Sequence, residues 1–158
     1  MASIINQLKE KISGKGIKVV FPESNDVRII EAAVRLAKEG LVEPILIGNV
    51  ANIPSGYDIS KCEVIDPQTY DGFEEMVKSF VSRRKGKNTE EQARTMLKDE
   101  NYFGCIYCLC GYADGLAGSK ICSTGAMMKP VLQTLRKKGS LVTELMVSYF
   151  PKKNEILF

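Results

Sequence analysis

The chain has 158 residues, 44% of them hydrophobic and 26% charged, with a formal net charge of +3, which fits one soluble globular domain with a sizeable core. So small a positive charge, spread along the chain, argues against a nucleic-acid partner, and no run approaches the roughly 18 apolar residues of a membrane span. The start at residues 1–6 lacks the basic and apolar regions of a signal peptide, and five cysteines in such a chain predict reduced thiols and a cytoplasmic location.

Taken in order, Ile4, Ile5, Leu8 and Ile12 predict an amphipathic helix over residues 3–13, ended by Gly14 and Gly16. Residues 17–21 are a β-branched run closed by Pro22, as expected of a buried first strand. Residues 22–26 form a turn with cap candidates, and Val27, Ile30, Ala33, Val34 and Ala37 continue as a helix that Gly40 terminates. A second strand over residues 44–47 ends at Gly48. Strand, helix and strand within about thirty residues imply a right-handed crossover and a parallel sheet.

Pro54, Ser55, Gly56 and Asp58 mark residues 51–60 as loop, and residues 62–65 read as a third strand stopped by Pro67. Phe73, Met76, Val77, Phe80 and Val81 form a helical stripe. Thr89 with Gln92 three residues on is a capping-box pattern, with Met96 and Leu97 on the buried side of the helix it opens. Residues 102–110 fit helix or strand by periodicity alone, and residues 113–117 read as a strand. A small-residue loop over 118–125 leads to a helical pattern of Met127, Met128, Val131, Leu132 and Leu135. Residues 141–149 are β-prone, and Asn154-Glu155 before Ile156 predicts a hairpin partner.

Three constellations have chemical readings. In the 118–125 loop, Ser123 or Thr124 can cap the following helix, whose uncapped N–H groups and positive dipole end suit a phosphate. Lys129, about one turn in, adds a charge; a plain strand-to-helix connection explains the same residues equally well. Arg83-Arg84-Lys85-Gly86-Lys87 is the densest cationic run, either a phosphate-binding patch or a solvated helix C-terminus whose cations offset the dipole. Cys105, Cys108 and Cys110 crowd six residues without any His in the chain, so small buried hydrophobes are a better account than a metal site. Cys122 lies in the glycine-rich loop, but with no His to act as its base it reads as a site-lining residue and not as a nucleophile.

Several blocks in register resemble the phosphate acetyltransferase (phosphotransacetylase) family. They are Val20-Phe21-Pro22-Glu23 with Arg28-Ile29, residues 83–89, residues 97–104, Ala113-Asp114-Gly115 with Leu116-Ala117-Gly118-Ser119, Cys122-Ser123-Thr124, and Lys129-Pro130-Val131-Leu132-Gln133. Against the family pattern, Ser-Gly is inverted to Gly118-Ser119, Cys122 stands at a His position, Ala126 at an Asp position and Lys129 at an Arg position. The last exchange swaps a bidentate fork for a point charge.

The resemblance implies a three-layer α/β/α fold with a mostly parallel sheet, like the first domain of these enzymes. It adds a short helix before the 51–60 loop and assigns residues 102–110 to a helix. It divides the chain into the α/β domain at residues 1–140 and the start of a truncated β segment at 141–158. It implies reversible acetyl transfer between acetyl phosphate and coenzyme A, with coenzyme A a substrate and no bound cofactor or metal. Phosphate or substrate binding is expected at Arg84, with Arg83 behind it, and at Ser119, Ser123, Thr124 and Lys129, with Cys122 lining the site. No catalytic residue is expected among these 158, because the family's general base lies in its second half. The alternative is a non-catalytic member that binds phosphate or an acyl-CoA-like ligand, or regulates a full-length paralogue. An unpaired strand edge at Phe158 makes self-association or such a paralogue the expected protein partner.

Overall fold

β-Branched and aromatic residues place β1, Lys18–Phe21, at the middle of a four-stranded parallel sheet of order β3-β2-β1-β4. β2 is Glu43–Ile47, β3 Glu63–Ile65 and β4 Gly115–Leu116. The register pairs Val20 with Ile45 and with Leu116, and Leu46 with Val64. A parallel sheet needs cover on both faces, and side chains of successive strand residues diverge to supply it. Val20, Ile45, Ile47 and Ile65 enter one core with Met76, Phe80, Leu97, Phe103 and Ile106. Phe21 and Leu46 enter a second core with Ile30 and Ala33. The expected three-layer α/β/α arrangement follows. The computed structural model describes residues 4–118, 122–137, 139–140, 148–150 and 155–157.

The first core is roofed by α3 (Phe73–Arg84), α4 (Glu90–Met96) and α5 (Glu100–Leu109), and α2 (Val27–Lys38) covers the second. α1 is Ile4–Ile12, with no fully buried residue. The Thr89–Gln92 capping box is present, with Thr89 Oγ1 accepting from Gln92 N at 3.2 Å and Gln92 Oε1 from Thr89 N at 3.1 Å. Residues 102–110 are helical through Leu109, and the short helix expected before the 51–60 loop is a single 3-10 turn, Val50–Asn52. A hairpin forms between β5, Ser148–Phe150, and β6, Glu155–Leu157. The rest of the β-prone run, residues 141–147, lies outside the described residues.

α6, Thr124–Thr134, departs from expectation in its facing. Met127, Pro130 and Thr134 are its buried residues, whereas Leu132, placed in the apolar stripe, is 42% exposed. Pro130 has no N–H to give the preceding turn, and the Thr134 hydroxyl donates to the Pro130 carbonyl at 2.7 Å. α6 therefore buries one proline and one self-satisfied threonine in place of its most apolar arc.

Helix α5 lies unusually close to the sheet at Gly104. A Cβ there would sit 2.8 Å from Leu116 Cδ1 and 2.9 Å from Val20 Cγ1. Glycine costs a helix about 1 kcal/mol relative to alanine, so the close approach is what the position requires. Gly104→Val should lower stability in urea unfolding by about 2 kcal/mol through overpacking; an unchanged midpoint would mean that α5 can lift from the sheet freely.

Candidate functional site

In an open parallel sheet, ligands bind beyond the carboxyl ends of the strands where the strand order reverses. Here the chain proceeds from β1 to β2 and β3 on one side, then returns through α3, α4 and α5 to place β4 on the other side of β1. The reversal lies between the carboxyl ends of β1 and β4, at Pro22-Glu23-Ser24 and Ala117-Gly118.

Hydrogen bonds fix this edge. Ala117 N donates to Val20 O at 2.8 Å, and Ser24 Oγ donates to Ile47 O at 2.6 Å. Glu23, only 5% exposed, accepts from the backbone N–H of Cys122 at 2.9 Å, tying the end of β1 to the entry of α6. Gly118, expected to let backbone approach a ligand, is small for a packing reason: a Cβ would strike Met127 Cε and lie 3.1 Å from Pro22 Cγ.

Three helix N-termini occupy this end. Asp26 caps α2, its carboxylate accepting from Arg28 N at 2.8 Å and pairing with the Arg28 guanidinium. That guanidinium holds the Asp26 carboxyl down at about 2. Asp99 caps α5 through Asn101 N and Tyr102 N, and Glu100 adds a carboxyl to its first turn. α6 differs. Its cap is the neutral Ser123, accepting from Ala126 N at 3.2 Å, and its first turn holds no acidic residue. The first backbone N–H groups of a helix have no partner within it, so Thr124 and Gly125 present a positive end that no charge of the helix itself offsets.

Of the residues singled out in the sequence, Ser123 and Thr124 sit at this helix start, Cys122 is half-buried just before it, and Lys129 is exposed further along α6. Ser119 lies outside the described residues. Arg84 is elsewhere. With Arg83, Lys85, Lys87 and Arg136 it lines an open groove of about 280 Å³ beside Leu132 and Gln133, at the far end of α6. The groove begins at Leu132, about 12 Å along α6 from Thr124, so the two places do not converge on one small anion. Arg83 separates from Arg84 in role. Its guanidinium donates to the carbonyls of Thr134 and Arg136, closing the C-terminus of α6. Arg84 Nε donates to Asn88 Oδ1 at 2.9 Å, which leaves its terminal nitrogens for another acceptor.

Cys105 is buried, and burial pushes its thiol up to about 12. The Cys108 thiol, also raised by burial, to about 11, donates to Gly115 O at 3.5 Å. Both behave as core groups. Among the described residues, no cluster of three His, Cys, Asp or Glu side chains has metal-holding geometry, and no helix is long and apolar enough to cross a membrane.

Sequence reasoning missed Glu23 and Glu100. Gly48, at φ +144, leaves room for both Ser24 Oγ, 2.5 Å from where its Cβ would be, and Glu100 Oε1, 3.1 Å from that point. Burial, and then the like charges of Asp99, Glu23 and Asp66, push the Glu100 carboxyl up to about 7. The only sequence signal was the Asx-type cap at Asp99, which marks a helix start and not a crevice. Since the folded value lies above the ordinary 4.5, the folded state holds this proton more tightly than the unfolded chain. Its stabilising effect is complete below about pH 4.5 and is lost as pH rises through about 7. Glu100→Gln should therefore gain about 1 kcal/mol over the parent near pH 8.5, allowing for solvent screening of a half-buried group, relative to their difference near pH 4.5. Urea unfolding at the two pH values checks this; a difference independent of pH would remove the linkage.

The sequence and fold resemble those of known proteins. The family model described as Phosphate acetyl/butaryl transferase matches residues 3–158. The phosphate acetyltransferase of Bacillus subtilis (strain 168) is 43% identical over 143 residues, covering 87% of this chain and 44% of that protein. That of Staphylococcus aureus (strain MRSA252) matches over the same shares. The solved EutD phosphotransacetylase from Staphylococcus aureus superposes with a TM-score of 0.80 at 42% identity, over 88% of this chain and 44% of that one. A phosphotransacetylase from Streptococcus pyogenes gives 0.83 at 40% identity, over 90% and 46%. The chain spans less than half the length of these relatives and corresponds to their N-terminal half. It belongs to the phosphate acetyl/butaryl transferase family.

Proposed function

We propose that this chain supplies the anion-binding half of a phosphate acetyltransferase, acting on acetyl phosphate and coenzyme A in a cytoplasmic setting, with residues 141–158 opening the segment that follows its α/β domain. The observation that carries this reading is the neutral, Ser123-capped start of α6 at the strand-order reversal between β1 and β4. There the phosphoryl group of acetyl phosphate meets the N–H groups of Thr124 and Gly125, with the Ser123 hydroxyl beside it and the long Lys129 side chain supplying charge; Ser119, which lies outside the described residues, is proposed as a further phosphate ligand on the family resemblance alone. Cys122 lines the cradle. The Arg84 groove, which begins about 12 Å away along α6, suits the phosphates of coenzyme A, an extended ligand whose thiol and phosphates lie far apart.

In the reaction, a base takes the thiol proton and the sulfur forms a bond to the acetyl carbon. The acyl C–O bond to phosphate then breaks, and inorganic phosphate leaves with the electron pair. A dianion held by helix N–H groups is a better leaving group, because the charge that develops on it is already met. At the α6 start Ser123 and Thr124 offer hydroxyls, which are poor bases, and Glu100 lies beside Gly48. Base and oxyanion donors are accordingly assigned to a second half, supplied by another chain or by further sequence.

A second reading, a binding or regulatory member without turnover, is favoured by the Lys129 exchange and by Ala126 in the same first turns of α6. One assay separates the two. The 158-residue chain alone should form no acetyl-CoA from acetyl phosphate, and turnover should appear when the second half is added as a separate polypeptide. Turnover by the chain alone would overturn the division of labour. Stable association of the halves without turnover would favour the regulatory reading. In the active pair, Arg84→Ala should raise the KM for coenzyme A roughly tenfold, the worth of one charge-assisted hydrogen bond, and leave that for acetyl phosphate unchanged. Arg83→Ala should instead lower the melting temperature.

A further inference from the structure

We infer that Glu23 is a positioning residue for the anion site: its carboxylate latches the backbone N–H of Cys122 and so sets the start of α6 at the mouth of the crevice. The inference rests on the reading of α6 given above, and three observations carry it. The contact joins residues 99 apart in sequence at 2.9 Å, between the end of the central strand and the residue directly before the helix cap. The side chain is 5% exposed, and a carboxylate this deeply enclosed is retained only where hydrogen bonds answer it. The neighbouring backbone is held as well, by Pro22 and Met127 packed against Gly118 and by Ala117 N on Val20 O.

The placement has an electrostatic cost, and that cost makes the role testable. Glu23 brings negative charge close to where a phosphate would bind; its field is felt both by Glu100, whose carboxyl it helps raise, and by Arg28, whose guanidinium it helps keep charged. As a mere neighbour, Glu23 would weaken anion binding, and any neutral replacement would strengthen it. A latch behaves otherwise. Gln retains an oxygen that can accept from Cys122 N–H while discarding the charge, and Ala discards both. The two variants therefore move phosphate affinity in opposite directions only if the hydrogen bond matters more than the charge.

The experiment uses the whole chain as parent, Glu23→Gln and Glu23→Ala, with circular dichroism to establish that each is folded. Amide hydrogen exchange across residues 117–127 reads the latch without any ligand. Parent and Glu23→Gln should protect Cys122 N–H to within threefold, and Glu23→Ala should lose at least tenfold in protection. Calorimetric titration with inorganic phosphate reads its purpose. Glu23→Ala should bind about tenfold more weakly than the parent, and Glu23→Gln equally or more tightly. Equal protection in all three proteins would overturn the latch, and tighter phosphate binding by Glu23→Ala would overturn its role in the anion site. Absence of phosphate binding by the parent would instead sink the proposed function, while the exchange data would still decide whether the latch exists. Should Glu23→Ala fail to fold, Glu23→Leu against Glu23→Gln provides the same contrast with the side-chain volume retained.

Discussion

Burial of β1 between two parallel neighbours is the constraint on which the rest of the structure depends. A strand paired on both edges and covered on both faces can present nothing but its ends to solvent. Val20 faces the larger core under α3, α4 and α5, while Phe21 faces the smaller one under α2. Since both neighbours of β1 run parallel to it, every chain segment leaving a carboxyl end must cross back over a face. Polar, irregular backbone is thereby gathered at one edge, where Glu23, Ser24, Gly48, Asp66 and Gly118 emerge together.

Charge at that edge is divided. Two helix ends there carry their own carboxylates, Asp26 on α2 and Asp99 with Glu100 on α5. The third, on α6, carries a serine. The first two helix ends carry carboxylates that offset their own dipoles, whereas the entry of α6 is met by the Glu23 carboxylate on the Cys122 N–H. Glu100 holds its proton because burial, and then the like charges of Asp99, Glu23 and Asp66, disfavour its own negative charge.

α6 runs from the crevice at the strand ends to the cationic groove at Arg84. Arg83 clasps its last carbonyls, Tyr102 donates to Gln133 at 3.0 Å, and buried Thr134 anchors the same end to the core. Both adjacent arginines line the groove, and Arg83 is also engaged with the carbonyls at the end of α6. Helical geometry separates them, because consecutive residues diverge by about 100° around the axis. The chain belongs to a family of enzymes and covers 44% to 46% of the length of the members compared.

The sequence by itself determined the local structure. Strands, their terminating prolines and glycines, the Thr89–Gln92 capping box and the Ser123 cap were legible because each depends on residues within four positions of one another. Family blocks in register carried the fold class and pointed to the 118–125 loop and to Arg84. What only the tertiary structure decided is everything that joins distant residues. Glu23 meets Cys122 across 99 positions, Arg83 meets Thr134 across 51, and Gly104 is glycine because Val20 and Leu116 come up beneath it. The facing of α6 belongs here as well, since periodicity ranks residues by apolarity whereas packing selected Met127, Pro130 and Thr134. Hydrophobic pattern specifies which segments must be buried; which polar groups are brought together at the edge follows from the order in which the buried strands are assembled.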